Sequence, residues 1–438
     1  MKPKQVKQIL LSEIKKVSDR ADEFCLNPGK CFVRKRKLSF ETVIRGIIGM
    51  ESKSLTNELI DMFDSSPEMP SASVFVQQRS KIKPDAFKTI FESFTSKITT
   101  KKSDTLRILA VDGSDVQIAT NPGDSTSYHP GSNGQKPYNL LHLNALYDLE
   151  HHIYTDAVIQ GRLNWNEHSA LQEMVDRSDI SKALVVAYRG YESYNNMAHI
   201  QEKGWCFLIR IKDGKNGIKQ GLDLPDSDEF DEKINLQLTR KQTKETKELF
   251  KRKNYYKFVP STTSFEYLPL KSKKNDPAVF YELNFRIVHF KVTDELYETV
   301  LTNLDKDVYP PEKLRELYAS RWGIETSFRD LKYTVGMLDF HSKKVMCIHQ
   351  EIYAHLIMYN FAEMITSHIV IEKKQRKYTY KANFSVASHL CRLFYRGKTT
   401  SPDLETIIAK NVIPIRPDRH GERKATTKIF HGFLYRVA

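Results

Sequence analysis

Four side chains with chemistry of their own stand close together: Tyr318, Arg321, Glu325 and Lys332, spaced 3, 4 and 7 residues apart. At about 100° per residue on a helix they fall within roughly 60° of one another. One helical face then carries a phenol, a guanidinium, a carboxylate and an ammonium. Leu317, Ile324, Phe328 and Leu331 form an adjacent apolar stripe that would fix the helix against a core. Pro310, Pro311 and Glu312 suit its start. Residue types alone also allow a plainer reading, an amphipathic surface helix with a solvated charged edge. The spacing decides between the two.

That spacing, Y-x2-R-x3-E-x6-K within RW-x-IE-x2-FRDLK, resembles the signature of the IS4-type family of DDE transposases, and it matches in full. The resemblance extends from the N-terminal helices to about residue 370. It implies an α/β fold: a ribonuclease-H-like catalytic domain interrupted by a β-rich insertion, with an N-terminal helical DNA-binding region and a helical C-terminal part. It also implies two divalent metals, Mg²⁺ or Mn²⁺, about 3.5–4 Å apart and clamping the attacking and leaving oxygens. Carboxylates are the proper ligands for such hard cations. Asp112, in VDGSD, resembles the first metal-binding carboxylate and Glu325 the last. Asp115, three residues on, is less suited. Tyr318, Arg321 and Lys332 would contact phosphates near the element's end. Trp322 reads as a core residue or a base-stacking one.

The second carboxylate belongs at the start of the family's D-R-G-Y-E motif. Here the chain reads Tyr188, Arg189, Gly190, Tyr191, Glu192. The neighbours agree and the essential residue does not. A phenol has a pKa of about 10, is neutral at pH 7, and cannot bridge two hard cations as a carboxylate does. Other acids nearby are Glu192, one helical turn on, and Asp176 and Asp179, before the strand; none has the right position. Arg189 is a candidate phosphate contact, with a surface salt bridge as the plainer alternative.

Composition points the same way. The chain has 438 residues, with 40% hydrophobic and 28% charged, as expected of a globular protein with a sizeable core. A net charge of +14 calls for a polyanionic partner, nucleic acid first. No apolar run approaches the roughly 18 residues of a spanning helix, and the start, MKPKQVKQILLSEIKK, has no signal-peptide core. The expectation is a cytoplasmic, DNA-associated protein. The five cysteines show no CxxC pair, which argues against a disulfide framework or a zinc site. His151 and His152, if on a strand, would point to opposite faces.

Taken in order, residues 1–100 read as helical. Arg34, Lys35, Arg36 and Lys37 form a basic run, and Ser39 caps a helix with Val43, Ile44, Ile47 and Ile48. A helix in SASVFVQQRSKI carries Gln77, Gln78, Arg79 and Lys81, types able to contact bases and phosphates. Residues 101–211 read as the first part of the catalytic domain. In it the run LRILAVDG is a buried strand ending at Asp112, two strands and a helix follow, and ALVVA is another buried strand. Residues 212–304 form the β-rich insertion, 305–375 the second part of the catalytic domain, and 376–438 a helical and basic tail with Arg416, Arg419, Arg423, Lys424, Lys428 and Arg436.

The function expected is binding of insertion-sequence ends with metal-dependent cleavage and strand transfer on double-stranded DNA, by a homodimer holding both ends and the target. Tyr188 puts the activity of this copy in doubt. The competing expectation is a non-catalytic DNA-binding protein, a decayed or repurposed transposase acting as a repressor. A glycosidase with paired carboxylates fits neither the basic charge nor the Y-R-E-K face.

Overall fold

Serine side chains open the N-terminal helices. After α1 (Pro3–Asp19), Ser39 Oγ accepts the Thr42 amide at 3.1 Å and starts α2 (Phe40–Gly49). Ser54 and Ser71 do the same for α3 (Leu55–Met62) and α4 (Ala72–Arg79), and α5 (Asp85–Thr99) follows. The computed structural model describes residues 1–34, 36–99, 105–131, 134, 136–212, 217–271, 276–294, 296–371 and 378–415, with the backbone of 434 and 435. Lys35 of the basic run and the cations of the 416–438 tail lie outside the described residues.

The apolar runs become a mixed α/β fold around one ten-stranded sheet. Its strands are β1 (Arg107–Ile118), β2 (Tyr128–His129), β3 (Tyr138–Asp148), β4 (Ile153–Gln160), β5 (Ala183–Ala187) and β6 (Cys206–Arg210), with α6 (Glu167–Arg177) and α7 (Tyr194–Glu202) between the later ones. Then come β7 (Phe230–Thr239), α8 (Lys244–Leu249), β8 (Tyr256–Phe258), β9 (Tyr281–Thr293) and β10 (Leu296–Thr302). The order is β2-β3-β1-β5-β6-β10-β9-β7-β8, with β4 also on β3. β1, β5 and β6 are parallel, while β3 is antiparallel to β1. The 212–304 stretch continues this sheet, because β10 pairs antiparallel with β6. β5 is buried along its whole length, as a strand covered on both faces must be.

Past the sheet run α9 (Pro311–Ser320), opened by Pro310 and Pro311, and α10 (Trp322–Arg329), which passes into a π turn over Asp330–Thr334. The two-residue β11 (Asp339–Phe340), the buried α11 (Val345–Thr366), β12 (Thr379–Ala382), α12 (Phe384–Arg396) and α13 (Ser401–Lys410) complete the described helical part. The single regular helix expected over Tyr318–Lys332 is therefore corrected: it breaks at Arg321 and widens at Asp330. The apolar stripe explains the break. Ile324, Phe328 and Leu331 pack with α11 and α12, while Leu317 packs with Leu184, Val186 and Leu208 under the sheet. His151 and His152 are not on a strand, so the opposite-face geometry does not apply to them. They form the turn between β3 and β4, where the Asp148 carboxylate accepts the His151 amide at 2.9 Å.

One hydrophobic core joins α1–α5 to α10, α11, α12 and the facing side of β1, β3 and β4. Arg79, expected to reach toward DNA, is instead wholly buried in it. Its Nη1 donates to Glu351 Oε1 at 2.8 Å, its Nη2 donates to the Cys347 carbonyl at 3.0 Å, and Gln350 Oε1 accepts from Nε and Nη2. Gln78 is buried too, and Lys81 turns back to it at 3.0 Å; only Gln77 of that set is exposed. A buried guanidinium is tolerated only when paired and fully bonded, and α11 supplies the partners. Glu351 Oε2 accepts from both the amide and Nδ1 of His341, whose Nε2 donates to the Lys53 carbonyl at 3.0 Å. With a carboxylate at one ring nitrogen and a carbonyl at the other, this site favours the imidazolium.

Glu351→Gln leaves Arg79 and His341 without a counter-charge, and the expected loss is about 3 kcal/mol in a urea titration. Burial works against the Glu351 carboxylate, but Arg79 and His341 hold it near pKa 2. Its contribution is complete above the ordinary carboxylate range and is lost as pH falls toward 2. Burial likewise opposes the charge on His341, yet Glu351 raises its pKa. That contribution is complete below about pH 6.5 and fades as pH rises through the raised value. The mutation should therefore cost more at pH 5.5 than at pH 8.5.

Candidate active site

Parallel pairing of β1 with β5 ends at Val111 opposite Ala187. The next residues, Asp112 on β1 and Tyr188 after β5, therefore stand side by side at the carboxyl edge of β5. Asp112 does not end its strand as expected. β3 carries the pairing on through Gly113 to Ile118, so β1 outlasts its parallel neighbour by six more paired residues than the apolar run alone indicated.

α10 faces this edge. Arg321, 6% exposed, donates through Nη2 to Glu325 Oε1 at 2.6 Å, and its Nη1 lies 3.6 Å from Asp112 Oδ2. The guanidinium thus stands between the two carboxylates of the signature. Its carbon lies 6.0 Å from the ring centres of Tyr188 and Tyr318 and 5.3 Å from that of Trp322. Tyr318 is buried with Leu184, Val186 and Leu314, so its ring supports Arg321 from below, whereas Trp322 is 48% exposed. Burial raises the Asp112 pKa to about 6, against the pull of the Gly113 amide and Arg321. Lys332, in the π turn, donates to the Asp115 carbonyl at 2.8 Å, and burial lowers its pKa. Arg189 is exposed on the 3₁₀ turn Arg189–Tyr191.

The Tyr188 ring turns toward α6. Its Oη donates to Glu167 Oε2 at 2.8 Å, and burial, with Glu167 next, pushes the phenol pKa well up. Glu167 Oε1 lies 3.1 Å from His142 Nε2, and His142 Nδ1 lies 2.8 Å from Asp115 Oδ1. Burial opposes a charge on His142, but the two carboxylates outweigh it and raise its pKa. The imidazole stacks on Trp165, ring centres 4.5 Å apart. Gly190 makes room for the phenol: a Cβ there would meet Tyr188 ring atoms at 2.5 Å. Glu167 and His142 were not among the residues singled out from the sequence. One begins a helix and the other sits mid-strand, and no motif spacing marks either.

The other acids near position 188 point elsewhere. Glu192 accepts the amides of Lys212 and Ile218 at 2.9 and 2.5 Å, anchoring the chain after β6. Asp176 binds His199 at 3.0 Å. Asp179 lines a polar cleft with Arg107 and Lys182, at the opposite edge of the sheet where β1 and β5 begin. As the side chains stand, they do not fit a pair of divalent metals. Asp112 and Glu325 share a guanidinium, the third position holds a neutral phenol, and no metal-binding group of three His, Cys, Asp or Glu forms among the described residues.

An acid at the end of the parallel pairing thus stands beside Arg321 and Glu325 of α10, with Lys332 in the π turn that follows. The chain belongs to the DDE transposases, of the IS4 type: the family model described as "Transposase DDE domain" matches residues 103–361. It is similar to "Transposase InsG for insertion sequence element IS4" of Escherichia coli (strain K12), 20% identical over 347 residues, 76% of this chain and 71% of that protein. A piggyBac transposase, solved by cryo-EM in a synaptic complex with hairpin DNA, aligns over 96% of this chain and 88% of its own, with 11% identity and a TM-score of 0.46.

Because its pKa is raised, Asp112 binds a proton more tightly folded than unfolded, so it costs stability as pH rises from about 4 to about 6. Asp112→Asn removes that cost. The variant should be more stable than the parent at pH 7.5, by on the order of 1–3 kcal/mol. The advantage should vanish below about pH 4. Thermal melts across that range check it.

Proposed function

We propose that this chain binds the ends of a transposable element as a DDE transposase but cleaves them weakly or not at all, because Tyr188 stands where the resemblance implies the second carboxylate. The single observation that carries this reading is the placement of a phenol, engaged by Glu167, directly beside Asp112. The strand order β4-β3-β1-β5-β6, with β3 antiparallel, supports a ribonuclease-H-like catalytic core. In such a core Asp112 and Glu325 would be the remaining carboxylates able to hold Mg²⁺ or Mn²⁺. Arg321 and Lys332 would take the phosphate, with Tyr318 stacked beneath the guanidinium and Arg189 at the rim. Residues 1–100 would add DNA contacts outside the catalytic domain, though not through Arg79. A dimer holding both ends follows from the class of reaction.

The second reading, a DNA-binding protein without catalysis, is favoured by the same phenol. Both readings predict DNA affinity that falls steeply with salt, as phosphate neutralisation requires. They part on what position 188 controls. A plasmid bearing the element's own ends should yield free 3′-hydroxyl ends in Mg²⁺ or Mn²⁺ only with Tyr188→Asp. Normal excision by the unaltered chain would overturn the main reading. Binding by both chains with cleavage by neither would favour the second.

A further inference from the structure

The two signature acids already have a cation between them, and it belongs to the chain. We propose that Arg321 is the internal counter-cation of Asp112 and Glu325, and that it trades them for a phosphate of bound DNA. Asp112 and Glu325 then take a divalent cation far more readily once DNA is seated. The inference rests on the DNA-binding reading above and deepens it, because it gives the order in which the site fills.

Arg321 faces both acids with separate nitrogens, Nη2 to Glu325 Oε1 at 2.6 Å and Nη1 to Asp112 Oδ2 at 3.6 Å. The first is a charge-assisted hydrogen bond; the second is an ion pair beyond hydrogen-bond length. With the guanidinium in place, a divalent cation on the same two carboxylates would meet a like charge beside it. The two occupancies therefore oppose each other. The hold on Arg321 is incomplete. The residue is 6% exposed, yet its buried Nε carries no hydrogen bond, and a buried donor left unpaired weakens the arrangement that buries it. The rings of Tyr188, Tyr318 and Trp322 lie around the guanidinium carbon at 6.0, 6.0 and 5.3 Å. Ring faces support a cation without fixing which oxygen it bonds. Trp322, 48% exposed, marks the side open to solvent.

A phosphate of the DNA backbone is the matching partner. It offers two oxygens to the planar fork of a guanidinium, as a carboxylate does, and the exchange leaves the positive charge paired throughout. Lys332 is not set up for this exchange, since its Nζ donates to the Asp115 carbonyl, a neutral acceptor. The negative charge released at Asp112 and Glu325 suits a hard cation, for which carboxylates are the proper ligands. By linkage the effect is reciprocal: bound Mn²⁺ must tighten DNA binding by the same factor as DNA tightens Mn²⁺ binding.

The test is Mn²⁺ binding by the full chain, read from loss of the free-ion signal in electron paramagnetic resonance, with no turnover needed. Without DNA, Arg321→Gln should bind Mn²⁺ on the order of tenfold more tightly than the parent, within the usual span of coupling between two sites. Arg321→Lys keeps the charge and should bind the ion as weakly as the parent. A saturating short duplex at low salt, with its own Mn²⁺ uptake subtracted, should tighten Mn²⁺ binding by the parent about as much, and by Arg321→Gln much less. Glu325→Gln should abolish the duplex effect, which places the ion at the signature acids. Folding of the variants is read from circular dichroism, and duplex binding of the parent from a filter assay. Weaker or unchanged Mn²⁺ binding in folded Arg321→Gln, no duplex effect on the parent, or an equal duplex effect in both chains each overturns the proposal. Loss of duplex binding by the parent would instead count against the DNA-binding reading, while the DNA-free comparison still judges Arg321, so the two failures are distinguishable.

Discussion

Parallel pairing of β1 with β5 is the constraint on which the site depends. It leaves residues 112 and 188 adjacent whatever they are, because backbone register, not side-chain chemistry, puts them there. Everything else is brought to that edge: α10 presents Arg321 and Glu325 from one side of the sheet, and α6 presents Glu167 from the other. With a phenol at 188, the side chain reaches past Gly190 to the α6 side and finds a carboxylate there. The hydroxyl is thereby held on the α6 side by Glu167.

The signature helix was legible because its residue types are rare together at helical spacing. Its break at Arg321 was not, since Leu317 and Ile324 pack into two separate cores, and neither was the π turn over Asp330–Thr334. The strands were legible as apolar runs, but the length of β1 depended on β3, a partner far along the chain. Arg79 shows the limit most plainly. In a run reading Gln-Gln-Arg it looks like a surface recognition residue, and only the facing Glu351 and Gln350, more than 250 residues away, make it a core residue. Glu167 and His142 were missed for the same reason: their meaning lies in partners the local sequence does not contain.

The buried Arg79–Glu351–His341 group also bears on how the chain is organised. It ties α4 and the Lys53 carbonyl to α11, within a core shared by the N-terminal helices and the sheet. A lone buried charge is costly, so such a group holds these elements in one arrangement rather than several. The N-terminal helices are thus built against the ten-stranded sheet and share its core. Any DNA they contact is positioned relative to Asp112 by packing.

On the reading proposed above, the phenol at position 188 keeps this chain from holding two divalent metals beside Asp112 and Glu325. Electron paramagnetic resonance of Mn²⁺ titrated into the chain and into Tyr188→Asp reads this directly, without DNA or turnover. The account predicts a spin-coupled Mn²⁺ pair in Tyr188→Asp and none in the chain as it stands. A coupled pair in the unaltered chain would contradict it and would mean that another group supplies the missing carboxylate.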